Sequence, residues 1–222
     1  MSINKERYQQ ICKELGAATL VAVSKTKPAS DIAGLYELGQ RDFGENYVQE
    51  LVEKYEALPK DIHWHFIGHL QTNKVKYIAP FVYLIHGVDS LKLLQEINKQ
   101  GKKNNRVIDC LLQVYIAQEE TKFGFNADEL DDIFSRPELK DLKNIHIRGF
   151  MGMASFTQNK ETIRDEFHQL QTLFNKYRKP EINHVAGSFE TLSMGMSSDY
   201  QVALAEGSNM VRIGSLLFGE RN

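Results

Sequence analysis

The sequence predicts an α/β protein folded as a single (β/α)8 barrel, the TIM-barrel architecture. Apolar runs of strand length alternate with amphipathic helical patterns along the whole of the 222 residues. The apolar runs have few polar breaks, which is typical of strands buried on both faces in a parallel sheet. Eight strand–helix units in this length match the size of a (β/α)8 barrel. An open doubly wound sheet is the alternative, but the chain has neither a G-x-G-x-x-G nor a G-x-x-x-x-G-K-S/T loop.

Eight segments predict the strands. Each is rich in Val, Ile, Leu or aromatic residues and is followed by a turn signal or a helical pattern. In chain order they are 20–24, 42–46, 63–68, 83–88, 107–116, 145–153, 182–194 and 210–217. The seventh segment has the weakest pattern.

Helical patterns separate these strands, and most begin at a residue that can cap a helix. An amphipathic helix with Tyr8 and Ile11 on one face precedes the first strand and ends at Gly16. The predicted N-terminal caps are Ser30 or Asp31, Asn46, Asp89 or Ser90, and Ser197 or Ser198. The clearest helix carries apolar residues spaced three or four apart from Ile163 to Tyr177.

The composition is that of an ordinary globular protein, with 42% apolar and 25% charged residues. The 27 Lys and Arg residues nearly balance 29 Asp and Glu residues, giving a net charge of −2. This balance indicates no nucleic-acid partner and no anionic-membrane partner. No Gly-, Pro- or Ser-rich linker interrupts the chain, so residues 1–222 are predicted to form one domain.

The two cysteines and the N-terminus indicate the compartment. Cys12 lies on a predicted helix face and Cys110 in a predicted strand, which favours reduced core thiols over a disulfide. Residues 2–7 contain no apolar segment of a signal peptide, and no apolar run approaches membrane-spanning length. We therefore expect a cytoplasmic protein. A compact barrel without a spare apolar helix face is expected to be a monomer.

The first predicted strand leads into a lysine, Lys25, which follows the apolar run 20–23 and Ser24. In α/β barrels the residues that do chemistry lie at the C-terminal ends of the strands. A lysine whose apolar stem is buried there has a lowered pKa and a nucleophilic amine, as a Schiff base requires. Lys27 has the same strand parity but precedes Pro28, so we assign the inward amine to Lys25 and the rim to Lys27. A solvated loop lysine is the alternative interpretation.

Polar and small residues follow the seventh and eighth predicted strands, where barrels commonly bind phosphate. Ser193 and Ser197 offer hydroxyl groups near a helix start, and Arg212 lies on the eighth strand. Gly214 and Ser215 offer backbone with little side-chain cover. Barrel closure brings these groups next to the first strand and its lysine. The combination favours a phosphorylated aldehyde held by an imine, and pyridoxal 5'-phosphate (PLP) is the obvious such ligand. Separately, the same residues are typical of helix caps, a turn glycine and a surface ion pair.

Several longer motifs are shared with a known family. They are Val23-Ser24-Lys25-Thr26-Lys27-Pro28, Phe43-Gly44-Glu45-Asn46-Tyr47, His65-Phe66-Ile67-Gly68 with Leu70-Gln71-Thr72-Asn73-Lys74, Leu192-Ser193-Met194-Gly195-Met196-Ser197, and Val211-Arg212-Ile213-Gly214 with Phe218-Gly219. In this order and over nearly the whole chain, the sequence resembles the pyridoxal-phosphate homeostasis proteins, also known as proline synthetase co-transcribed proteins. The resemblance implies a single barrel similar to the N-terminal domain of bacterial alanine racemase. Residues 182–187 look like extra sequence before the seventh strand, which leaves the register of that strand open.

The resemblance also implies a PLP site and a role. Lys25 matches the lysine that holds PLP as an internal aldimine, Arg212 matches an arginine near the pyridine nitrogen, and Asn46 is implied near the ring. The residues implied to hold the phosphate are Gly214 and Ser215, through their backbone, with Ser193 and Ser197. The implied role is to carry or buffer PLP, with PLP-dependent apo-enzymes as candidate recipients. Through that role the protein would affect the balance of amino acids and keto acids in the cell.

The predicted site favours a carrier over an enzyme. An arginine beside the pyridine nitrogen disfavours its protonation, which weakens the ring as an electron sink. Racemisation remains the alternative, but it needs acid–base groups on both faces of the substrate. Lys25 supplies one, and Tyr47 or His86 is a candidate for the other. The opposing tyrosine of alanine racemase comes from a second, β-rich domain, which we expect to be absent because the chain stops at Asn222.

A metal-dependent hydrolase is a third hypothesis. It depends on the His63-x-His65 pair at strand parity, with His69 and Asp89 beyond it. Zinc hydrolases built on barrels use such a pair. Here it lies on the third strand, and Trp64 favours a packed strand without a metal.

Overall fold

Eight parallel strands close into a barrel in a computed structural model that describes residues 3–117, 123–179 and 188–219. The strands follow one another around the barrel in chain order, and the eighth pairs with the first. They are β1 (Thr19–Val23), β2 (Asp42–Glu45), β3 (His63–Phe66), β4 (Leu84–Val88), β5 (Ile108–Val114), β6 (Ile145–Gly152), β7 (Thr191–Met196) and β8 (Met210–Ile213). The predicted (β/α)8 barrel is confirmed.

Helices surround the barrel and connect its strands. Within the described residues they are α1 (Lys5–Leu15), α2 (Ala29–Glu37), α3 (Val48–Ala57), α4 (Val75–Ile78), α5 (Leu91–Lys103), α6 (Ala127–Ser135), α7 (Lys160–Tyr177), α8 (Tyr200–Ala205) and α9 (Ser215–Phe218). Short 3-10 turns occupy Thr72–Lys74 and Pro137–Asp141. No helix of this part of the chain is both long enough and apolar enough to span a bilayer.

Two strand predictions needed correction at their ends. The eighth strand stops at Ile213, and the apolar residues that follow form one turn of helix, α9, with Leu217 and Phe218 buried. A short apolar run has no periodicity that separates strand from helix, which explains the error. The seventh strand begins at Thr191, whereas residues 182–187 lie outside the described residues.

The helix caps were predicted with mixed success. Ser90 caps α5, and its Oγ accepts a hydrogen bond from the backbone of Leu93 at 3.3 Å. Asn46 does not cap α3, which begins after Tyr47 without a side-chain cap. Similarly, Ser197 and Ser198 precede the start of α8 at Tyr200 and do not cap it. Ser30 and Asp31 do not cap α2 either, because that helix begins at Ala29 with Pro28 at its N-cap. Among these misassigned positions, Asn46 and Ser197 lie beside the cavity described below.

The core has two parts. Large side chains such as Trp64 and Phe150 are buried between the barrel and its helices. A smaller apolar cluster joins strands across the barrel interior and contains Val21, Leu84, Leu111, Met151 and Met210. Both Cys12 and Cys110 are free thiols, Cys110 buried and Cys12 partly buried. The apolar interior matters for function because the polar groups placed within it are shielded from water.

Candidate functional site

A cavity of about 460 Å³ opens at the carboxyl ends of the strands. The residues around it come from strand ends and from the loops that follow them. They are Val23, Lys25, Lys27, Asn46, Ile67, Met153, Phe156, Met196, Ser197, Ser198, Arg212, Gly214, Ser215 and Gly219. Binding sites of (β/α)8 barrels lie at this end, so the cavity is the candidate site.

Most residues predicted for a cofactor site lie around this cavity. They are Lys25, Asn46, Ser197, Arg212, Gly214 and Ser215. Ser193 is not among the lining residues. It is fully buried, and its hydroxyl contacts Arg212 and His86. The hydroxyl of Ser193 thus lies against Arg212 and His86 and not at the lining, and its role at a phosphate stays a prediction.

A strained turn presents Lys25 to the cavity. The backbone of Ser24 donates to the carbonyl of Gly44 at 3.0 Å, which extends the β1–β2 pairing by one residue. The backbone of Lys27 then donates to the carbonyl of Ser24 at 3.0 Å and turns the chain. Thr26, between them, has a φ of 64°, a left-handed conformation that β-branched residues rarely adopt. Such strain persists only where the surroundings hold the backbone in place.

Lys27 also borders the cavity and ties its turn to α9. Its Nζ donates to the carbonyl of Phe218 at 3.1 Å and to that of Gly219 at 3.4 Å. These carbonyls lie at the C-terminal end of α9, where a cation is favourable. The contact joins the first and last segments of the barrel beside the cavity.

Three charged residues, Glu45, Glu50 and Lys54, form what we call the loop clamp. Lys54 is buried on α3, and its Nζ lies 2.7 Å from the carbonyl oxygen of Ser24 and 2.7 Å from Oε1 of both glutamates. Oε1 of Glu50 accepts a hydrogen bond of 2.6 Å from the backbone of Thr26. The clamp thus holds the chain on both sides of Lys25. Sequence reasoning missed it, although Glu50 and Lys54 form an i,i+4 pair on a predicted helix.

Within the clamp, Glu45 is fully buried between β2 and α3. Its Oε1 accepts hydrogen bonds from Lys54 and from the hydroxyl of Ser24, whereas its Oε2 is buried without a hydrogen-bond partner. Burial raises the pKa of Glu45 to about 7, against the opposing effect of Lys54. Its charge therefore changes near neutral pH, next to the loop that carries Lys25.

Asn46 brings an unsatisfied acceptor to the cavity. Its Oδ1 is buried and has no hydrogen-bond partner. The backbone of Asn46 packs directly on Gly68, where an added Cβ would lie 2.3 Å from the carbonyl oxygen of Asn46. A buried amide oxygen without a donor is unfavourable by roughly 1–3 kcal/mol. Asn46 is therefore arranged to accept a hydrogen bond from a group that enters the cavity.

Arg212 brings a buried cation. It is 4% exposed, and its Nη1 donates to the carbonyl and hydroxyl oxygens of Ser193 at 2.9 and 2.7 Å. Its Nη2 donates to the carbonyl of Gly152 at 3.0 Å. Burial lowers the pKa of Arg212 to about 10, while Asp199 acts in the opposite direction, so the guanidinium is charged at neutral pH.

The loops after β7 and β8 meet at Gly214. Its backbone donates to the hydroxyl of Ser197 at 3.3 Å. A Cβ at Gly214 would lie 3.2 Å from the carbonyl oxygen of Val23 and 3.3 Å from the Cβ of Val23, so this position favours glycine. The close approach brings the backbone of Gly214 and Ser215 next to the end of β1.

The residues behind the two alternative hypotheses lie apart from the cavity lining. For the racemase, neither Tyr47 nor His86 is among the lining residues. For the hydrolase, His63 and His65 both contact Asp42. In the described part of the chain, no three His, Cys, Asp or Glu residues are grouped to hold a metal ion.

The other two residues of the hydrolase hypothesis contact each other. Nδ1 of His69 lies 3.2 Å from Oδ2 of Asp89, and the His69 ring stacks on Phe123. This pair has no third ligand of the kind a structural or catalytic zinc ion needs among the described residues.

The fold and this cavity define a barrel of the alanine racemase N-terminal type. The sequence profile of the family described as "Alanine racemase, N-terminal domain" matches residues 3–222. A relative named "Pyridoxal phosphate homeostasis protein", from Aquifex aeolicus (strain VF5), is 43% identical over 221 residues, which are 97% of this chain and 94% of that protein. The chain belongs to the family of pyridoxal phosphate homeostasis proteins, as its motifs predicted.

Solved structures agree with this placement. PipY of Synechococcus elongatus PCC7942 is 33% identical and has been solved without PLP, at a TM-score of 0.89, and with PLP bound, at 0.86. Each comparison covers 96% of this chain and 99% of that chain. Alanine racemase from Bartonella henselae is 14% identical, with a TM-score of 0.72 over 95% of this chain and 56% of that one. At that identity the racemase shows a shared fold.

Proposed function

We propose that this protein binds PLP in the cavity at the carboxyl end of its barrel and acts as a carrier or buffer in PLP homeostasis. The names of its relatives and the PLP bound to PipY support the proposal. The observation that carries it is the convergence of an amine, a buried guanidinium and an unpartnered amide oxygen on one cavity.

The residues present fit the cofactor. The cavity volume of about 460 Å³ lies in the range of small-molecule sites. The unsatisfied Oδ1 of Asn46 calls for a donor, and the glycine at 214 admits a group close to the backbone. A phosphorylated aldehyde needs a lysine amine at its aldehyde group and accessible backbone, such as that beside a glycine, at its phosphate.

Each residue has a proposed task. The aldehyde of PLP supplies an electrophilic carbon with which a lysine amine condenses, and Lys25 provides that amine. Arg212 would lie beside the ring nitrogen, and its charge would keep that nitrogen unprotonated. Asn46 accepts a hydrogen bond at the ring. The groups proposed to bind the phosphate are the backbone of Gly214 and Ser215 and the hydroxyl of Ser197.

A carrier is favoured over a racemase by what the cavity offers. Among the described lining residues there is no Asp, Glu, His or Tyr. Racemisation needs a second acid–base group opposite the lysine, and both candidates, Tyr47 and His86, lie outside the lining. We further propose that residues 1–222 form one domain, that the protein is a monomer, and that it supplies PLP-dependent apo-enzymes. Analytical ultracentrifugation tests the monomer, and activation of an apo-transaminase by the loaded protein tests the supply.

Borohydride reduction of the PLP-loaded protein, followed by peptide mass mapping, tests the site. We expect a phosphopyridoxyl group on Lys25 and its loss in a Lys25→Ala variant, together with the absorbance band of the imine. Lys99→Ala is the control, because that side chain is 74% exposed on α5 and distant in sequence from the site. A label that moves to Lys27 would overturn the choice of lysine, and the absence of any label would overturn the cofactor proposal.

Exchange of the α-proton of amino acids in deuterated water separates the carrier from the racemase. We expect the loaded protein to exchange the α-proton no faster than free PLP at the same concentration. Exchange well above that background, lost in Lys25→Ala, would show a second acid–base group and contradict the carrier.

A further inference from the structure

A line of polar side chains, buried except for the partly exposed Asp42, crosses the interior of the barrel from its amino end to Arg212. It begins at Asp42, the first residue of β2, and ends near the cavity. The successive contacts are Asp42 Oδ1 to His65 Nε2 at 3.0 Å, His65 Nδ1 to His86 Nε2 at 2.9 Å, His86 Nδ1 to Ser193 Oγ at 3.3 Å, and Ser193 Oγ to Arg212 Nη1 at 2.7 Å. We call these five residues the interior chain.

Beyond Asp42, whose side chain is 24% exposed, the interior chain is shielded from water. His65, His86 and Ser193 are fully buried, and Arg212 is 4% exposed. Apolar residues occupy the same interior. Polar groups in such surroundings are retained only when each is hydrogen-bonded, because an unpaired one is costly. The interior chain satisfies this condition from end to end.

The two ends of the interior chain fix the direction of every hydrogen bond in it. A guanidinium can only donate, and an ionised carboxylate can only accept. Arg212 therefore donates to Ser193, the serine hydroxyl donates to Nδ1 of His86, and Nε2–H of His86 donates to Nδ1 of His65. Nε2–H of His65 then donates to Asp42. Buried histidines are favoured in the neutral form, and with both of them neutral each carries its proton on Nε2.

The charges around the interior chain agree with this arrangement. Burial lowers the pKa of His86 well below its usual value, and the neighbouring His65 and Arg212 lower it further. Burial also lowers the pKa of His65, in spite of Asp42. Burial raises the pKa of Asp42, but the contacts with His65 and His63 outweigh this effect, so the pKa is lowered overall.

We propose that Ser193, His86 and His65 are positioning residues that hold the guanidinium of Arg212 in one orientation, through hydrogen bonds that all run toward the carboxylate of Asp42. Hydrogen bonds in such a line polarise one another, so the Asp42 charge strengthens the acceptor that Arg212 meets. The proposal deepens the proposed function, on which its relevance to PLP rests. It gives Arg212 a fixed place beside the cofactor ring that its flexible side chain would not keep by itself.

The test begins with the unloaded, ¹⁵N-labelled protein. Long-range ¹H–¹⁵N correlation spectra report the protonation of each nitrogen in the seven histidines. His65→Gln and His86→Gln variants assign the two signals. We expect both residues to be neutral with the proton on Nε2 at neutral pH. A proton on Nδ1 of either residue without one on Nε2, or a cationic ring, would refute the proposed direction of the hydrogen bonds in the interior chain.

Substitution at the far end tests whether the interior chain acts on Arg212. In Asp42→Asn the amide can donate as well as accept, so the fixed direction is lost. We expect mixed tautomers at His65 and His86 and a broadened side-chain signal from Arg212. His168→Gln is the matched control, since that imidazole is 66% exposed on α7 and contacts Glu206. Unchanged tautomers and an unchanged Arg212 signal in a folded Asp42→Asn protein would contradict the proposal.

The loaded protein supplies a separate readout. We expect Ser193→Ala to weaken PLP binding about tenfold, as loss of one hydrogen bond to a charged group does. We also expect it to shift the absorbance maximum of the bound cofactor, while the label stays on Lys25. PLP binding at Lys25 and the positioning of Arg212 can be refuted independently of each other. Nε2 tautomers without a label on Lys25 would refute PLP binding alone. A labelled Lys25 with wild-type affinity and absorbance in Ser193→Ala would refute the positioning role alone.

Discussion

At the scale of single residues, Glu45 illustrates how burial changes an ionisable group beside a binding loop. Its carboxyl group has one oxygen bonded to Lys54 and Ser24 and the other without a partner. Burial is the dominant influence and raises its pKa to about 7. The folded protein therefore binds this proton more tightly than the unfolded chain does.

The sign of the resulting pH dependence follows directly. The pKa of Glu45 is about 7 in the folded state against 4.5 without the fold, so the free energy of unfolding falls as pH rises between these values. The decrease from this residue amounts to about 3 kcal/mol and ends above pH 7. Urea unfolding at several pH values should show this decrease in the wild type but not in Glu45→Gln, whose amide still accepts at Oε1. The Glu53→Gln variant, changed at an exposed position, should retain the decrease. The same pH dependence of the unfolding free energy in the wild type and in Glu45→Gln would refute its assignment to Glu45.

A second residue-scale prediction concerns Gly68. An added Cβ there would lie 2.3 Å from the carbonyl oxygen of Asn46, so Gly68→Ala must displace that backbone. We expect the free energy of unfolding to fall by about 1–3 kcal/mol and PLP affinity to fall with it. Gly34→Ala, inside α2, is the control. Its added methyl group meets only the end of the Ile3 side chain, and alanine favours a helix.

At the scale of elements, α3 controls the turn after β1. Lys54 on α3 contacts the carbonyl of Ser24, and Glu50 contacts the backbone of Thr26. Lys25 lies between these two contacts. A helix, which is rigid over its length, thus sets the position of a lysine that the loop alone would leave variable.

Removal of the clamp ammonium tests this dependence. Lys54→Met removes the donor to the carbonyl of Ser24, while the Glu45 carboxyl can take up a proton, so we expect a loss of about 1–3 kcal/mol of unfolding free energy. We also expect slower labelling of Lys25 by PLP and borohydride. Glu56→Gln, an exposed position on the same helix, should change neither quantity. Wild-type stability and labelling in Lys54→Met would show that the turn after β1 keeps its conformation without the loop clamp.

The same elements show what could be predicted from the sequence. Alternation of apolar strands and amphipathic helices is a local signal, and it predicted the barrel and the position of Lys25. The loop clamp and the buried contact of Ser193 depend on which faces meet in three dimensions, and no local pattern encodes that. Similarly, the apolar run after Gly214 suits strand and helix equally, and only packing at α9 decides between them.

At the scale of the whole molecule, ligand binding and folding are linked. A cofactor that binds only the folded barrel raises its stability by mass action. At a PLP concentration of about one hundred times the dissociation constant, we expect the unfolding free energy to rise by about 2.7 kcal/mol. Thermal unfolding with PLP, with pyridoxal lacking the phosphate, and of Lys25→Ala with PLP measures this effect. Equal stabilisation by all three would show that PLP does not act through the proposed site.

Barrel closure has a consequence for synthesis of the protein. β1 pairs with β8, so Val21 lies opposite Arg212 although almost the whole chain separates them. A nascent chain on the ribosome therefore carries Lys25 early but lacks the guanidinium of Arg212 and Gly214 until β8 has been translated. Contacts of such long sequence separation are slow to form, because the loop between them must first close. The proposed cofactor site is thus complete only after β8 has joined β1, and PLP binding would report that the ring of strands has closed.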